Sequence, residues 1–279
     1  MVVTPRDSFI SMALIAVTRL PSATLPQCEL SFLDREPIDV ARATTQHALY
    51  RQALSDAGAA VVTLPALDAL PDAVFVEDTA LIFDECVVVA PMGAPSRRPE
   101  SAPMAAVLRD YRPVHALTPP ATLDGGDVLR LGHTVYVGQT PRTNRAALDQ
   151  LTALIGPLGY TVVGVPVTRC LHFKTACAAA GDGRVLINPA WVSPDVFGDH
   201  TVLTIDPTEP WAANVLAIAD TVIIPASAPR TLARLRDSGV NAVPVDVSEL
   251  QKAEAGVTCL SLIINQPITN QPITAPTPS

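Results

Sequence analysis

Three residues far apart in the chain, Cys259, His172 and Asp124, supply the parts of an activated nucleophile. A thiol attacks, an imidazole carries protons and a carboxylate orients the imidazole. Sequence distance is no obstacle, because such groups assemble in space. A second set is acidic. Glu77 and Asp78 are adjacent inside the apolar stretch Phe75-Val-Glu-Asp-Thr79, with Asp72 just upstream. Burying two neighbouring acids costs several kcal/mol unless a cation or hydrogen-bond donors meet them. A third set is basic: Arg97 follows Gly93-Ala-Pro-Ser and Arg142 lies in Pro141-Arg-Thr-Asn144. Both sit between a strand-like run and a helical pattern, and two arginines on one rim would clamp a carboxylate.

Each of these residues also has a plain structural reading. A cysteine at the start of an apolar run is usually a small core residue, and Cys28, Cys86, Cys170 and Cys177 keep that reading. His172, between Leu171 and Phe173, reads equally as a satisfied core histidine. Gly125-Gly126 marks a tight turn and lacks the longer phosphate-loop pattern, so it makes no case for a nucleotide. The two arginines read as surface charges.

The elements that must position these groups alternate strongly. Short β-branched runs (Val87–Val89, Val135–Val137, Val185–Ile187, Val222–Ile224) lead through Pro- or Gly-containing loops to helical patterns such as Arg145–Ile155 and Thr231–Ser238. The expected class is α/β. A strand ending near a proline or an acid recurs five times, starting at Val61, Val114, Val162, Val202 and Ala242, 40 to 53 residues apart. That period belongs to radial repeats. Each unit adds a loop, one or two strands and then a helix, except the last. The N-terminal strand and helix (Leu14–Thr18, Val40–Ala57) complete the ring. In such a fold equivalent positions converge on the axis, which brings Glu77-Asp78, Asp124 to Asp127, His172, Asn214 and Cys259 into one central pit.

Composition narrows the function. The chain has 279 residues, 48% of them hydrophobic, 4% aromatic and 16% charged, with a formal net charge of −8. That balance excludes a general nucleic-acid or anionic-membrane binder, either of which needs a basic footprint, and suits a cationic small molecule. The five cysteines form an odd set with no C-x-x-C, so neither a disulfide nor a zinc framework is expected, and a reducing, cytoplasmic setting follows. No apolar run is long enough to span a bilayer, and the apolar run at 9–18, cut by Arg19, does not read as a signal peptide. One domain is expected over residues 12–265. Residues 1–11 read as an N-terminal extension and 266–279, with its repeated Gln-Pro-Ile-Thr, as a disordered tail.

Six strings, in order, resemble the dimethylarginine dimethylaminohydrolase family of the guanidine-modifying (pentein) superfamily: Pro71-Asp-Ala-Val-Phe-Val-Glu-Asp78, Gly93-Ala-Pro-Ser-Arg-Arg98, Thr122-Leu-Asp-Gly-Gly-Asp-Val128, Arg142-Thr-Asn144, Leu171-His-Phe-Lys174, and Ser248-Glu-Leu through Thr258-Cys259. The resemblance implies a five-bladed pseudo-symmetric α/β propeller, which agrees with the repeat. It implies Cys259 as nucleophile, His172 as general acid/base and Asp124 as its partner, where some relatives have glutamate. It implies Glu77 and Asp78 at the substrate guanidinium, Asp72 near its α-amino group, and Arg97 and Arg142 at its α-carboxylate. Leu30 and Ala253 match positions that contact substrate through the backbone. The implied reaction is hydrolysis of Nω-methylated L-arginine to L-citrulline and an alkylamine, with no metal or organic cofactor, in a monomer or homodimer. The thiol, surrounded by acids, is expected to stay neutral until the cation arrives. Zinc or nitrosating agents at Cys259 would inhibit. The alternatives are an arginine or agmatine deiminase, a citrulline hydrolase, a non-catalytic amino-acid-binding propeller and, last, an interaction scaffold.

Overall fold

A continuous β-branched run without polar alternation is what a strand covered on both faces requires. In the computed structural model, which describes residues 12–267, each such run is the middle strand of a three-stranded sheet. The first sheet begins with β1 (Met12–Arg19), which leads through α1 (Val40–Asp56) to the parallel strand β2 (Ala60–Leu64). The second holds β3 (Leu81–Ile82), β4 (Val87–Val89), α2 (Ser101–Leu108) and β5 (Val114–Ala116). The third holds β6 (Val128–Leu131), β7 (Thr134–Gln139), α3 (Arg145–Ile155) and β8 (Thr161–Pro166). After α4 (Phe173–Ala176) come β9 (Cys177–Ala179), β10 (Arg184–Ile187) and β11 (Thr201–Thr204). The fifth sheet holds β12 (Leu216–Ile218), β13 (Thr221–Pro225), α5 (Pro229–Asp237) and β14 (Ala242–Val245). Past α6 (Ser248–Gln251), β15 (Leu262–Pro267) returns to pair antiparallel with β1. Every sheet therefore has the same plan, one antiparallel and one parallel neighbour to its middle strand.

The period-2 alternation of a strand explains how the sheets join. Val87 and Val89 of β4 face a cluster shared with Ile15, Val62 and Leu262 of the first sheet. Val88, pointing the other way, joins Val128 and Val135 of the third. Leu129 and Tyr136 continue to Cys177 and Val185, Ala178 and Leu186 to Val222 and Ile224, and Ile218 and Ile223 to Ala16 of the first sheet. Five apolar clusters thus link five sheets in a cycle. Helices cover four of them from outside. In α3 the buried stripe is Ala147, Leu148, Leu151 and Ile155, one face of a helix, and its start is fixed by Asn144, whose side chain accepts from Ala147 N at 3.0 Å.

The structure departs from the sequence expectation at three places. Between β10 and β11 there is no α-helix but a single 3-10 turn, Pro194–Phe197. Prolines at 189 and 194 and a positive-φ glycine at 198 leave room for one turn. The helix expected from Thr231 starts at Pro229, where a proline fits because the first-turn N–H has no intrahelical partner. Strand β15 runs to Pro267, two residues into the expected tail. The rest of that tail and the N-terminal extension lie outside the described residues. Among the described residues no helix is long and apolar enough to cross a membrane.

Candidate active site

Each sheet is entered through a short turn, and the five turns carry the chemistry. Val76–Thr79 precedes β3, Gly125–Asp127 precedes β6, His172 and α4 precede β9, Trp211–Asn214 precedes β12, and Thr258–Leu260 precedes β15. Side chains stitch them together. Gly126 N donates to Asp78 Oδ1 at 2.9 Å, and Phe173 N donates to Asp127 Oδ1 at 2.9 Å. Lys174 Nζ and Thr258 Oγ1 donate to the two Glu77 oxygens, each at 2.6 Å. Asn214 holds the nucleophile turn from both sides: Nδ2 donates to Thr258 Oγ1 and Oδ1 accepts from Thr258 N, both at 3.0 Å. The convergence expected from the repeat is present.

The catalytic candidates occupy this ring. Asp124 is fully buried. Its Oδ1 accepts from Gly93 N at 2.8 Å and its Oδ2 lies 3.1 Å from His172 Nε2, so the shorter aspartate arm still reaches. The other imidazole nitrogen, Nδ1, is 3.8 Å from Asp78 Oδ1. Burial opposes the imidazolium, but Asp78, Asp127 and Asp124 together outweigh it and raise His172 to about 9. The ring is therefore protonated at neutral pH, ready to donate. Reciprocally, burial opposes the charge on Asp78, but His172 and Arg97 prevail and bring it down to about 2. Gly-Gly at 125 and 126 is a matter of space: a Cβ on Gly126 would lie 2.5 Å from His172 Nδ1 and 2.8 Å from Asp78 Oδ1. Cys259, half-buried, receives a hydrogen bond from Gly256 N at 3.4 Å. Burial first, then Glu77 and Asp78, push its thiol up to about 12. The other four cysteines are free and buried.

Two cavities meet here. The larger, about 380 Å³, is lined by Glu77, His172 and Cys259 and by Phe32, Leu33 and Trp211. The smaller, about 20 Å³, is lined by Asp72, Asp78, Arg97, Arg142, His172, Ala253 and Cys259. Arg142 Nη1 lies 3.6 Å from Asp124 Oδ2 and Nη2 donates to Ser31 Oγ at 3.0 Å. Asp72 accepts from Glu29 N at 3.1 and 3.2 Å. Leu30 is the exception among the expected residues: its half-buried side chain packs against an apolar cluster and lines neither cavity. Arg97 is no surface charge. It is 5% exposed, with Nη1 2.7 Å from Asp78 Oδ2, Nη2 2.9 Å from Glu100 Oε2 and its remaining donors on Glu100 and backbone carbonyls. It braces Asp78, and both Arg97 and Arg142 line the smaller cavity.

Three residues of the site had no role in the sequence reading. Asp127 accepts from Thr140 Oγ1, Thr143 Oγ1 and Phe173 N, bracing the segments that carry Asp124 and His172. Burial first raises it to about 6, against His172 and the hydroxyl donors. Its place in Asp124-Gly-Gly-Asp127 was the available signal. Lys174, the counter-ion of Glu77, stood in the quoted Leu-His-Phe-Lys string. Glu254 gave none: its carboxylate accepts from the N–H groups of Ser31, Phe32 and Leu33 at 2.5 to 3.0 Å, holding a strap over the cavity.

A family model described as "N,N dimethylarginine dimethylhydrolase, eukaryotic" matches residues 30–187. The chain is 39% identical over 253 residues to an N(G),N(G)-dimethylarginine dimethylaminohydrolase of Streptomyces coelicolor, covering 90% of this chain and 97% of the relative. It is 33% identical over 226 residues to that of Pseudomonas aeruginosa, covering 80% and 89%. Among solved structures, the Pseudomonas aeruginosa enzyme in complex with citrulline aligns with a TM-score of 0.84 at 31% identity, over 89% of this chain and 98% of the other. A dimethylarginine dimethylaminohydrolase adduct with S-methyl-L-thiocitrulline aligns at 0.83 and 32%, over the same shares. The N-terminal domain of a cyanobacterial arginine dihydrolase aligns at 0.82 with 19% identity and shares the fold.

Proposed function

Because this chain belongs to the dimethylarginine dimethylaminohydrolase family, we propose that it hydrolyses Nω-methylated L-arginines, dimethylarginine and monomethylarginine, to L-citrulline and an alkylamine through a covalent intermediate on Cys259. The observation that carries this reading is the His172–Asp124 pair at 3.1 Å beside Cys259 on the wall of one acid-lined well. The cycle of five sheets is then a five-bladed propeller, one domain over residues 12–265, with the well on its axis. Five free cysteines support a reducing, cytoplasmic location.

The substrate guanidinium binds at Asp78, which Arg97 and Gly126 N hold in place, with Glu77 beside it. The α-carboxylate faces Arg142, and Asp72 meets the α-ammonium. Both polar contacts are now made by the strap, through Ser31 Oγ and Glu29 N, so substrate replaces like with like. The arriving cation reverses the field that keeps the Cys259 thiol neutral, and the thiol gives its proton to solvent water, since His172 already carries one. The thiolate attacks the guanidinium carbon, and imidazolium at His172 gives its proton to the departing alkylamine, a far better leaving group than an amide anion. His172 then takes a proton from water, which attacks and releases citrulline. Asp124 keeps the ring oriented and stabilises its charge.

The test is incubation with asymmetric dimethylarginine, arginine and citrulline in parallel. Citrulline and dimethylamine from the first are expected. Ammonia from arginine, with no dimethylamine from the first, would make the protein a deiminase.

A further inference from the structure

The two cavities differ in chemistry. The small one carries the charges that fit an amino-acid head, Asp72 and Arg142. In the large one the charged groups are already partnered within the protein. Lys174 is held by Glu77 at 2.6 Å, Glu254 by the strap N–H groups, and Glu209 by the N–H groups of Arg230 and Thr231 at 2.9 and 2.8 Å. What remains of its wall is largely apolar. Three of the six large apolar side chains exposed among the described residues, Phe32, Leu33 and Trp211, gather at this one chamber. Apolar exposure concentrated in one place marks a binding surface.

The chambers share His172 and Cys259. On the function proposed above, a substrate with its head in the small cavity and its guanidinium carbon at Cys259 Sγ leaves one space for its nitrogen substituents, the large chamber. Two methyl groups fill little of about 380 Å³, a volume in the range that holds drug-sized ligands. We infer that the chamber is a subsite for the nitrogen substituent, and that the enzyme also hydrolyses L-arginines bearing larger apolar Nω groups, from linear alkyl to benzyl. The thiol proton passes to solvent, the Sγ–C bond forms, the C–N bond to the substituted nitrogen breaks, and the His172 proton goes to the departing amine. Water then adds to the carbon and the S–C bond breaks, and the released thiolate takes a proton back from solvent. One water proton returns to His172 and the other ends on the freed amine as its ammonium.

The experiment compares Nω-benzyl-L-arginine with asymmetric dimethylarginine. Benzylamine and citrulline are expected in equal amounts, with kcat/KM within about tenfold of the dimethyl substrate. Ser227→Trp, on the exposed lip of the chamber, is expected to lower the benzyl-to-dimethyl ratio of kcat/KM by about tenfold or more, the scale of a lost apolar contact in a pocket. Wild-type turnover of dimethylarginine with benzylarginine more than a thousandfold slower overturns the inference and leaves the proposed function standing. So does a Ser227→Trp enzyme that slows both substrates equally. No citrulline from either substrate overturns both.

Discussion

The ionisation of Cys259 in the free enzyme is the sharpest consequence of the acid-lined well. Burial, Glu77 and Asp78 hold the thiol at about 12, against an ordinary 9.0. Three units mean about a thousandfold less thiolate than an ordinary cysteine carries at the same pH. Alkylation by iodoacetamide, which consumes thiolate, is therefore expected to be slow at pH 7 and to climb about tenfold per pH unit through pH 9 without a plateau. The rate must be read at residue 259 by peptide mass spectrometry. Glu77→Gln leaves Lys174 without its counter-ion and removes one of the two acids, so both changes favour the thiolate. Its alkylation at pH 7 is expected to be at least tenfold faster. A free-enzyme alkylation profile with a midpoint at or below that of an ordinary cysteine would refute the reasoning, as would a Glu77→Gln rate that does not rise.

Three further outcomes follow from other contacts. Gly126→Ala places a methyl group 2.5 Å from His172 Nδ1 and 2.8 Å from Asp78 Oδ1. It should lower kcat by about a hundredfold, the scale of a 1 Å displacement, and a kcat within threefold of wild type contradicts that packing. Arg142→Ala removes binding common to ground and transition states, so it should raise KM with little change in kcat. A fall in kcat at unchanged KM would argue against its place at the carboxylate. His47, fully buried with neither ring nitrogen partnered, is lowered by burial and by Arg51 to about 3 in the folded chain. Its stability contribution is complete above its ordinary 6.5 and is lost as pH falls, by about 2 kcal/mol from pH 6.5 to pH 5. Denaturant titrations of His47→Leu should lose that much of the slope, and an unchanged slope would assign the acid sensitivity elsewhere.

The fold was legible where local pattern and packing agree. Val87–Val89 and Val222–Ile224 read as buried strands because they are covered on both faces, and the recurrence of such strands betrayed the five sheets. The missing helix before β11 was not legible, since Pro189 and Pro194 mark where helix cannot form but not that a single turn suffices. Within the site, the repeat brings Cys259, His172, Asp124 and Asp78 to one place because equivalent turns converge, and they lie together in the structure; their roles, and that of Arg142, come from the family resemblance alone. The partners were not legible. Arg97 reads from sequence as either surface charge or substrate clamp, and only the depth of Asp78 and Glu100 makes it an internal counter-ion. Glu254 caps a strap more than two hundred residues away in sequence, a contact that no spacing rule signals. The Leu30 side chain points to core, because its neighbours Glu29 and Ser31 make the polar contacts.

The central claim is covalent attack by Cys259. Its most direct test is intact-mass and peptide analysis after acid quench during turnover of asymmetric dimethylarginine. The account predicts an increment equal to the substrate minus dimethylamine on the peptide that contains Cys259, absent from Cys259→Ser. Citrulline formation at wild-type rate by Cys259→Ser, or the same increment on another residue, would contradict it.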